Sequence, residues 1–389
     1  MKIIIGHNAY REPGGEDRVF ECEARLLREN GHEVIELRES NVRVQQLSRV
    51  SLARKTIWNT EAEDRVERLC REHRPDLIHF HNTFPLLSPA VYSAAKRNDV
   101  AVVQTLHNYR LICPAATLWR NNQNCFSCIR STLPHKAILH GCYQGSRVRT
   151  SGVVACHSYH RIRRTYHREV DQFILLSDSM RDLFLKAGFD AQKMSVKPNF
   201  VSRDPGFNED SIRNAITYVG RFSPEKGIDV LLSAWKEVKT DRRLRLIGDG
   251  PMKEQVKLAA EADERIEVIP WQSQSDLMKL LDEAFVAVVP SVWLEPFGLT
   301  AIEALAKGVP VVASRTGTLQ EIVEHGDNGW TVENGNVKAW SRRLQECCDD
   351  PQIVNIRRHR ARESYEARFS AAKNYNRLLQ IYNKALSTS

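Results

Sequence analysis

Two glutamates eight positions apart, Glu295 and Glu303, carry the most legible chemistry in this chain. Between them Pro296-Phe297-Gly298-Leu299 turns into a predicted helix. Ile302 and Leu305 form its apolar face, Ala301, Ala304 and Ala306 favour it, and Lys307-Gly308 ends it. A helix that starts after a glycine turn presents backbone N–H groups and the positive end of its dipole, which suits a phosphate. Glu295 then lies just before an anion site and Glu303 about two turns along the helix. One carboxylate is placed for a sugar hydroxyl and the other for a ribose. Isolated glutamates ordinarily sit on solvated surfaces. The Pro-Phe-Gly turn and the strand-like stretches on both sides argue against that here.

A second group is cationic. Gly220-Arg221-Phe222-Ser223-Pro224-Glu225-Lys226-Gly227 follows a predicted strand at 215–219. Arg221 and Lys226 can converge on a diphosphate, one as a fork and the other as a point charge. The alternative is two surface cations on a loop. Gly248-Asp249-Gly250-Pro251 is another strand-end turn, with Pro251 at a predicted helix start. It shapes a nucleotide pocket or is purely structural. Trp271 borders a base or packs in the core, the commoner fate of a tryptophan.

In the first half, Pro13-Gly14-Gly15 separates a strand from a helix and lets the backbone approach a ligand. A simple tight turn is the alternative. No Gly-x-Gly-x-x-Gly accompanies it, which argues against a nicotinamide dehydrogenase. His107, in Thr105-Leu106-His107-Asn108-Tyr109, ends a strand and can hydrogen-bond a sugar. His79 and His81 flank Phe80 and are weaker candidates. Cys113, Cys125, Cys128 and Cys142 form C-x11-C-x2-C-x13-C. The Cys-x2-Cys knuckle and four thiolates suit a structural zinc, with His135 or His140 able to replace one ligand. Four cysteines that touch nothing is the equal alternative.

The elements that position these residues alternate strand and helix. Strands are expected at 3–6, 33–37, 77–80, 100–104 and 173–176, then at 215–219, 244–247, 266–269, 286–290 and 309–313. Helices are expected at 16–29, 228–239, 251–262 and 275–283. This pattern predicts two parallel-sheet α/β domains. The first spans 1–198, with a Cys-rich insertion at about 113–142, and the second 199–369. The stretch 198–210 reads as the linker. A last helix at 370–389 packs back on the first domain.

The 389 residues give ample core for two domains. Hydrophobic residues at 42%, charged residues at 27% and a mean hydropathy of −0.43 describe an ordinary globular chain. No apolar run approaches the roughly 20 residues of a membrane span. The first residues read as a strand rather than a secretory signal, which predicts a cytoplasmic protein with reduced cysteines. A net charge of +8 suggests an acidic partner. Arg147, Arg149, Arg161, Arg163, Arg164 and Arg168, with His157, His160 and His167, form a basic stretch. It reads equally as a docking face for the inner surface of an anionic membrane and as a solvated face. Nucleic acid is not expected, since no zinc-finger, RNA-recognition or basic-zipper pattern accompanies the charge.

Taken together, these stretches resemble a family 4 glycosyltransferase of the GT-B fold. The resemblance covers nearly the whole chain and is strongest over 215–330 and at 295–303, which is similar to the family's E-x7-E motif. It implies two Rossmann-like, doubly wound domains facing each other across a cleft. It assigns Glu303 to the ribose of a nucleotide sugar and Glu295 to the donor sugar ring. The backbone at Phe297, Gly298 and Leu299 would meet sugar and diphosphate, and Arg221 and Lys226 match the family's basic pair on the diphosphate. Gly15, beside Gly14, matches the glycine loop that faces donor and acceptor. His107 matches a histidine near the donor sugar, in a His-Asn-Tyr where the family has His-Asp-Tyr. Asn108 therefore removes a carboxylate. The cysteine cluster is similar to an insertion in some bacterial polysaccharide members and brings no function with it.

The resemblance implies a retaining transfer from a UDP- or GDP-sugar, with His107, Glu295, Arg221 and Lys226 as the catalytic set and no metal required for catalysis. The protein's cations take up the charge of the departing diphosphate. The expected acceptor is a glycan or a polyprenyl-diphosphate-linked hydroxyl in bacterial surface polysaccharide or lipopolysaccharide synthesis. Two alternatives stand beside this: a nucleotide-sugar 2-epimerase on the same fold, and a catalytically silent sugar-nucleotide or polysaccharide-binding protein.

Overall fold

Short segments rich in Ile, Val and Leu build two six-stranded sheets in which every strand runs parallel to its neighbours. Strands this apolar must be covered on both faces, which is what flanking helices do. The computed structural model describes residues 1–12 and 14–387. It divides into two compact units. The first holds Met1–Leu118, Cys125–Ser202 and the chain from Asn374 onward; the second holds Trp119–Asn124 and Arg203–Lys373.

In the first unit the strand order is Glu33–Ser40, Lys2–Ala9, Leu77–Asn82, Ala101–Leu106, Gln172–Leu175 and Met194–Val196. The closing helix Ala371–Leu386 lays Leu378, Ile381, Tyr382 and Ala385 on Ile3, Leu77, Val103 and Ile174 in one core. Its apolar residues recur at helical spacing, so one face is buried along its length.

In the second unit the order is Ile266–Ile269, Arg243–Ile247, Ala215–Val219, Ala284–Val289, Val311–Ser314 and Gly329–Val332. Its core joins strand residues Ile216, Leu246, Val288 and Val312 to helix residues Leu231, Trp235, Trp340 and Leu344. Both sheets are doubly wound α/β, the architecture expected from the alternation.

Some element ends differ from expectation. The helix expected to reach 239 ends at Trp235. The helix expected from Pro251 starts at Lys253, because the Met252 N–H is bonded to the Phe222 carbonyl in a preceding turn. The strands Met194–Val196 and Gly329–Val332 were not expected: one is three residues long and the other opens on glycine, so neither shows a period.

Candidate active site

The winding of the second sheet reverses between Ala215–Val219 and Ala284–Val289. Open parallel sheets bind ligands beyond the carboxyl ends of their strands at such a point. The basic loop 220–227 leaves one of these two strands, and 290–298 leaves the other. Glycine lets the two segments touch. Gly227 has φ +68°, and a Cβ there would stand 2.0 Å from the Pro290 carbonyl oxygen. Gly248, from the neighbouring strand end, would place a Cβ 2.0 Å from the Gly220 carbonyl oxygen. The Val292 N–H donates to the Glu225 carbonyl at 3.0 Å, and Thr300 Oγ1 donates to the Val219 carbonyl at 3.3 Å.

This contact brings Lys226 and Glu295 together. Lys226 Nζ donates to Glu295 Oε1, and Ser291 Oγ donates to Glu295 Oε2. Lys226 also lies over the Trp293 ring, 5.5 Å from its centre. Glu295 is only 7% exposed, so it is a held carboxylate and not a solvated one. Thr318 Oγ1 donates to the Pro296 carbonyl at 3.0 Å and fixes the turn. Ser291, Trp293 and Thr318 carried no signal in the sequence, because each acts through a backbone or side-chain contact that only folding creates.

The helix Leu299–Ala306 begins after Gly298, and no side chain caps it. Ala301 to Ala306 are all buried, which explains a helix so rich in small apolar residues. Glu303 is 2% exposed and accepts from Gln274 Nε2 at 3.1 Å, so the solvated-face alternative is wrong. Phe297 turns its ring inward toward Phe369, with centroids 6.4 Å apart; its backbone is the part left for a ligand. Arg221 is exposed. Trp271 is 65% exposed, against the expectation of core packing, because the strand Ile266–Ile269 is an edge strand and ends before it.

The first unit gathers a different set. Pro13 lies outside the described residues. Gly14 caps the helix Gly15–Glu29, and its N–H donates to Asp17 Oδ2 at 2.7 Å. That N–H is therefore engaged within the helix start itself. Asp17 Oδ1 also accepts from the Tyr10 N–H at 3.0 Å and meets His7 Nε2 at 2.9 Å. Burial raises the Asp17 carboxyl, but these partners outweigh it and hold it below the usual carboxylate range.

His107 is buried, and its Nε2 lies 2.9 Å from His81 Nδ1 with the two rings stacked. Burial, and then the charges of His7 and Lys197, push its pKa down to about 3, so it is a neutral imidazole at neutral pH. His81 orients that ring, a role its sequence pattern did not reveal. His79 is also buried, bonded to the Tyr382 hydroxyl at 2.8 Å and Thr105 Oγ1 at 2.7 Å. Asn108, where a carboxylate is missing, donates through Nδ2 to Glu16 Oε1 at 2.7 Å. The Tyr10 hydroxyl donates to Glu16 Oε2 at 2.9 Å. The fold thus brings a carboxylate to Asn108 from another element. Burial raises the Glu16 carboxyl, partly offset by Asn108 and Tyr10.

The basic stretch is not uniformly a surface. In the helix Arg147–Arg163, His157 and His160 are buried. Arg161 is half-buried, and its guanidinium donates to the carbonyls of Leu111, Cys128, Ile129 and Ser131. Arg147, Arg149, Arg163, Arg164 and Arg168 remain exposed. Among the described residues, no helix is long and apolar enough to cross a membrane.

The chain is similar to known proteins over nearly its whole length. Residues 13–204 match the family model described as Glycosyltransferase Family 4, and residues 203–368 match the model described as Glycosyl transferases group 1. N-acetyl-alpha-D-glucosaminyl L-malate synthase of Bacillus anthracis is 21% identical over 99% of this chain and 98% of its own length. An uncharacterized 42.6 kDa protein in the cps region of Klebsiella pneumoniae is 24% identical over 75% of this chain and 73% of its own. The crystal structure of Anabaena Alr3699/HepE in complex with UDP superposes with a TM-score of 0.70, at 18% identity, over 98% of this chain and 100% of that one.

Proposed function

Because the chain belongs to the family 4 glycosyltransferases and has their GT-B architecture, we propose that it moves a sugar from a nucleoside-diphosphate sugar to a hydroxyl of a lipid-linked glycan, in bacterial surface-polysaccharide synthesis. The observation that carries the donor half is the meeting of the 220–227 loop and the 290–298 segment at the switch point, with Lys226 on Glu295. Two cations and an uncapped helix start there supply the charge complement of a leaving diphosphate. Glu303 holds the ribose, Glu295 the transferred sugar, and exposed Trp271 offers a face to the base.

In this reading the leaving phosphate assists the incoming hydroxyl on the same face of the sugar, so configuration is retained. The protein's own cations do the charge neutralisation, with no metal in the step. Within the first unit, His107, neutral and oriented by His81, is the candidate for a sugar hydroxyl, with Glu16 bonded to the neighbouring Asn108. The UDP complex of the Anabaena protein and the cps region of the Klebsiella relative support a nucleotide-sugar donor and a surface-polysaccharide role.

A lipid-linked acceptor places the enzyme at an anionic bilayer, and one region suits that. Between Asp99 and Glu169 there is no acidic residue, yet ten Lys and Arg lie there, more than the chain's net +8. Phe126, Leu133, Leu139, Val148 and Ile162 are exposed in the same region. Arg147 Nε donates to the Leu139 carbonyl at 3.1 Å and ties the short helix His135–His140 to the long one. Exposed apolar groups among exposed cations are what an anionic lipid surface binds.

Melting the protein with a panel of UDP- and GDP-sugars tests the donor half. A ligand at 100 times its Kd stabilises by about 2.7 kcal/mol, and Glu303→Ala should abolish the shift. If no nucleotide sugar shifts the melting temperature, the donor reading fails. Flotation with anionic against neutral liposomes tests the membrane half; equal recovery with both would sink it.

A further inference from the structure

A carboxylate in a protein core is costly unless each of its oxygens is answered. Glu23, on the helix Gly15–Glu29, is wholly buried. One of its oxygens is answered. Lys197 Nζ, also buried, lies 3.3 Å from Glu23 Oε2 and 3.3 Å from Asn374 Oδ1 on the closing helix. The other oxygen, Oε1, has no hydrogen-bond partner among the described residues. His79 Nδ1 stands 3.7 Å from it. Both nitrogens of that ring are taken, however, by the Tyr382 hydroxyl at 2.8 Å and by Thr105 Oγ1 at 2.7 Å.

His81 has the complementary gap. Its Nδ1 meets His107 Nε2 at 2.9 Å, and its Nε2 is buried with no partner among the described residues. The His81 ring lies against His79, with centroids 4.5 Å apart. One donor atom from each of Glu23, His79 and His81 lies within 4.8 Å of the others. Two unanswered buried atoms thus belong to one small cluster. One is a carboxylate oxygen that only accepts; the other is an imidazole nitrogen that can donate or accept.

We propose that Glu23 is a positioning residue for the transfer, on the reading of His107 given above: its carboxylate holds the His81 proton on Nε2, so that His81 Nδ1 accepts from the His107 Nε2–H and His107 Nδ1 is left as a hydrogen-bond acceptor for a substrate hydroxyl. Burial holds His81 well below the usual histidine range, with His79 and His107 adding to the effect, and pushes His107 down to about 3. Both rings are therefore neutral, and each carries one N–H. Their contact uses one of those two hydrogens. If His81 donated it from Nδ1, its Nε2 would be a bare lone pair in the same buried cluster as a bare carboxylate oxygen. If His107 donates it, the His81 hydrogen is on Nε2, where it answers Glu23 directly or through one water. His107 then has only a lone pair at Nδ1. It takes a hydrogen bond and does not give one, so it selects a hydroxyl over a ring or carbonyl oxygen. A divalent cation is the other occupant these donors suggest. Its charge would stand beside the Lys197 ammonium with a single buried carboxylate to offset both, which the core does not tolerate.

Long-range ¹⁵N–¹H correlation spectra of the full chain, labelled at histidine, read the tautomer of each ring, and His81→Gln and His107→Gln assign the signals. Both rings are expected with the proton on Nε2. Removing Glu23 alone would leave Lys197 without its counter-charge, so Glu23→Leu is combined with Lys197→Met, which replaces the ion pair by apolar groups of similar size. In that double variant the protons of His81 and His107 should shift toward Nδ1, and kcat/KM should fall about tenfold or more. Packing damage alone would lower the melting temperature and the rate but leave the tautomers in place. A proton on His107 Nδ1 in the wild type, tautomers unchanged in the double variant, or metal bound by these residues would each overturn the inference. If the double variant does not fold, the wild-type tautomers still decide. They are read without substrate, so their failure is separate from that of the donor reading, which the melting shift with nucleotide sugars decides.

Discussion

Lys226→Met removes a cation from a partner it cannot be replaced on. Glu295 is left with the Ser291 hydroxyl alone. Breaking a fully buried ion pair from one side costs about 3–5 kcal/mol. Here the Glu295 side chain is 9% exposed but that of Lys226 is 25% exposed, so water reaches the vacated side. A loss of about 1–2 kcal/mol is the better figure. For a unit of this size about 1 kcal/mol moves the melting temperature by roughly 2–4 °C, so a fall of about 2–8 °C is expected. A hydrogen bond between a cation and a phosphate contributes about 1.5–3 kcal/mol. Its loss should cut kcat/KM for the donor by about 10- to 100-fold and leave the acceptor KM unchanged. Adding Glu295→Gln separates the two roles. The double variant should recover much of the melting temperature, because no unpaired carboxylate remains, but none of the donor kinetics. Calorimetry and initial rates at saturating acceptor measure both. If Lys226→Met binds UDP and turns over the donor within twofold of wild type, the diphosphate role is wrong, and recovered kinetics in the double variant would show that Lys226 serves only Glu295.

Three further outcomes follow from the geometry. Gly227→Ala should unfold or strongly destabilise the second unit, since the new Cβ meets the Pro290 carbonyl oxygen at 2.0 Å in a left-handed backbone; a melting temperature within 2 °C of wild type, about what 1 kcal/mol produces, would contradict this. Glu16→Gln should lower kcat and flatten the acid side of the pH–rate profile while leaving the UDP-induced melting shift intact; unchanged rates at every pH would remove Glu16 from the reaction. Burial pushes His107 and His157 down to about 3 and His160 down to about 4, so below about pH 6.5 the unfolded chain takes up protons that the folded chain does not. Stability should therefore fall as pH drops from about 6.5 toward 4, by up to about 1.4 kcal/mol per pH unit for each histidine. The raised carboxyls of Glu16 and Glu23 work in the opposite direction. A melting temperature that holds or rises over that range would mean the histidines are not buried neutral.

Much of this protein was written locally. Strand alternation and apolar runs named the two sheets, since a chain so apolar at regular intervals has few other ways to cover itself. The E-x7-E segment, the Arg221–Lys226 loop and the place of His107 at a strand end were legible because each is a short run of types whose chemistry depends on neighbours in sequence. Trp271 and, within the Arg147–Arg168 stretch, Arg161, His157 and His160 were misjudged for one reason: exposure is decided by what packs above a residue, not by its type. Arg161 reads as one of six surface arginines and is instead the clasp of a loop.

What tertiary structure alone decided is pairing. Glu295 meets Lys226 across 69 residues, Asn108 recovers a carboxylate from Glu16 across 92, and His81 orients His107 across 26. No periodicity or spacing encodes these contacts. They arise where parallel strands far apart in sequence end side by side and their loops share one small volume. The sequence by itself determined which residues could bind a nucleotide sugar; the sheet order determined which of them hold one another in place to do so.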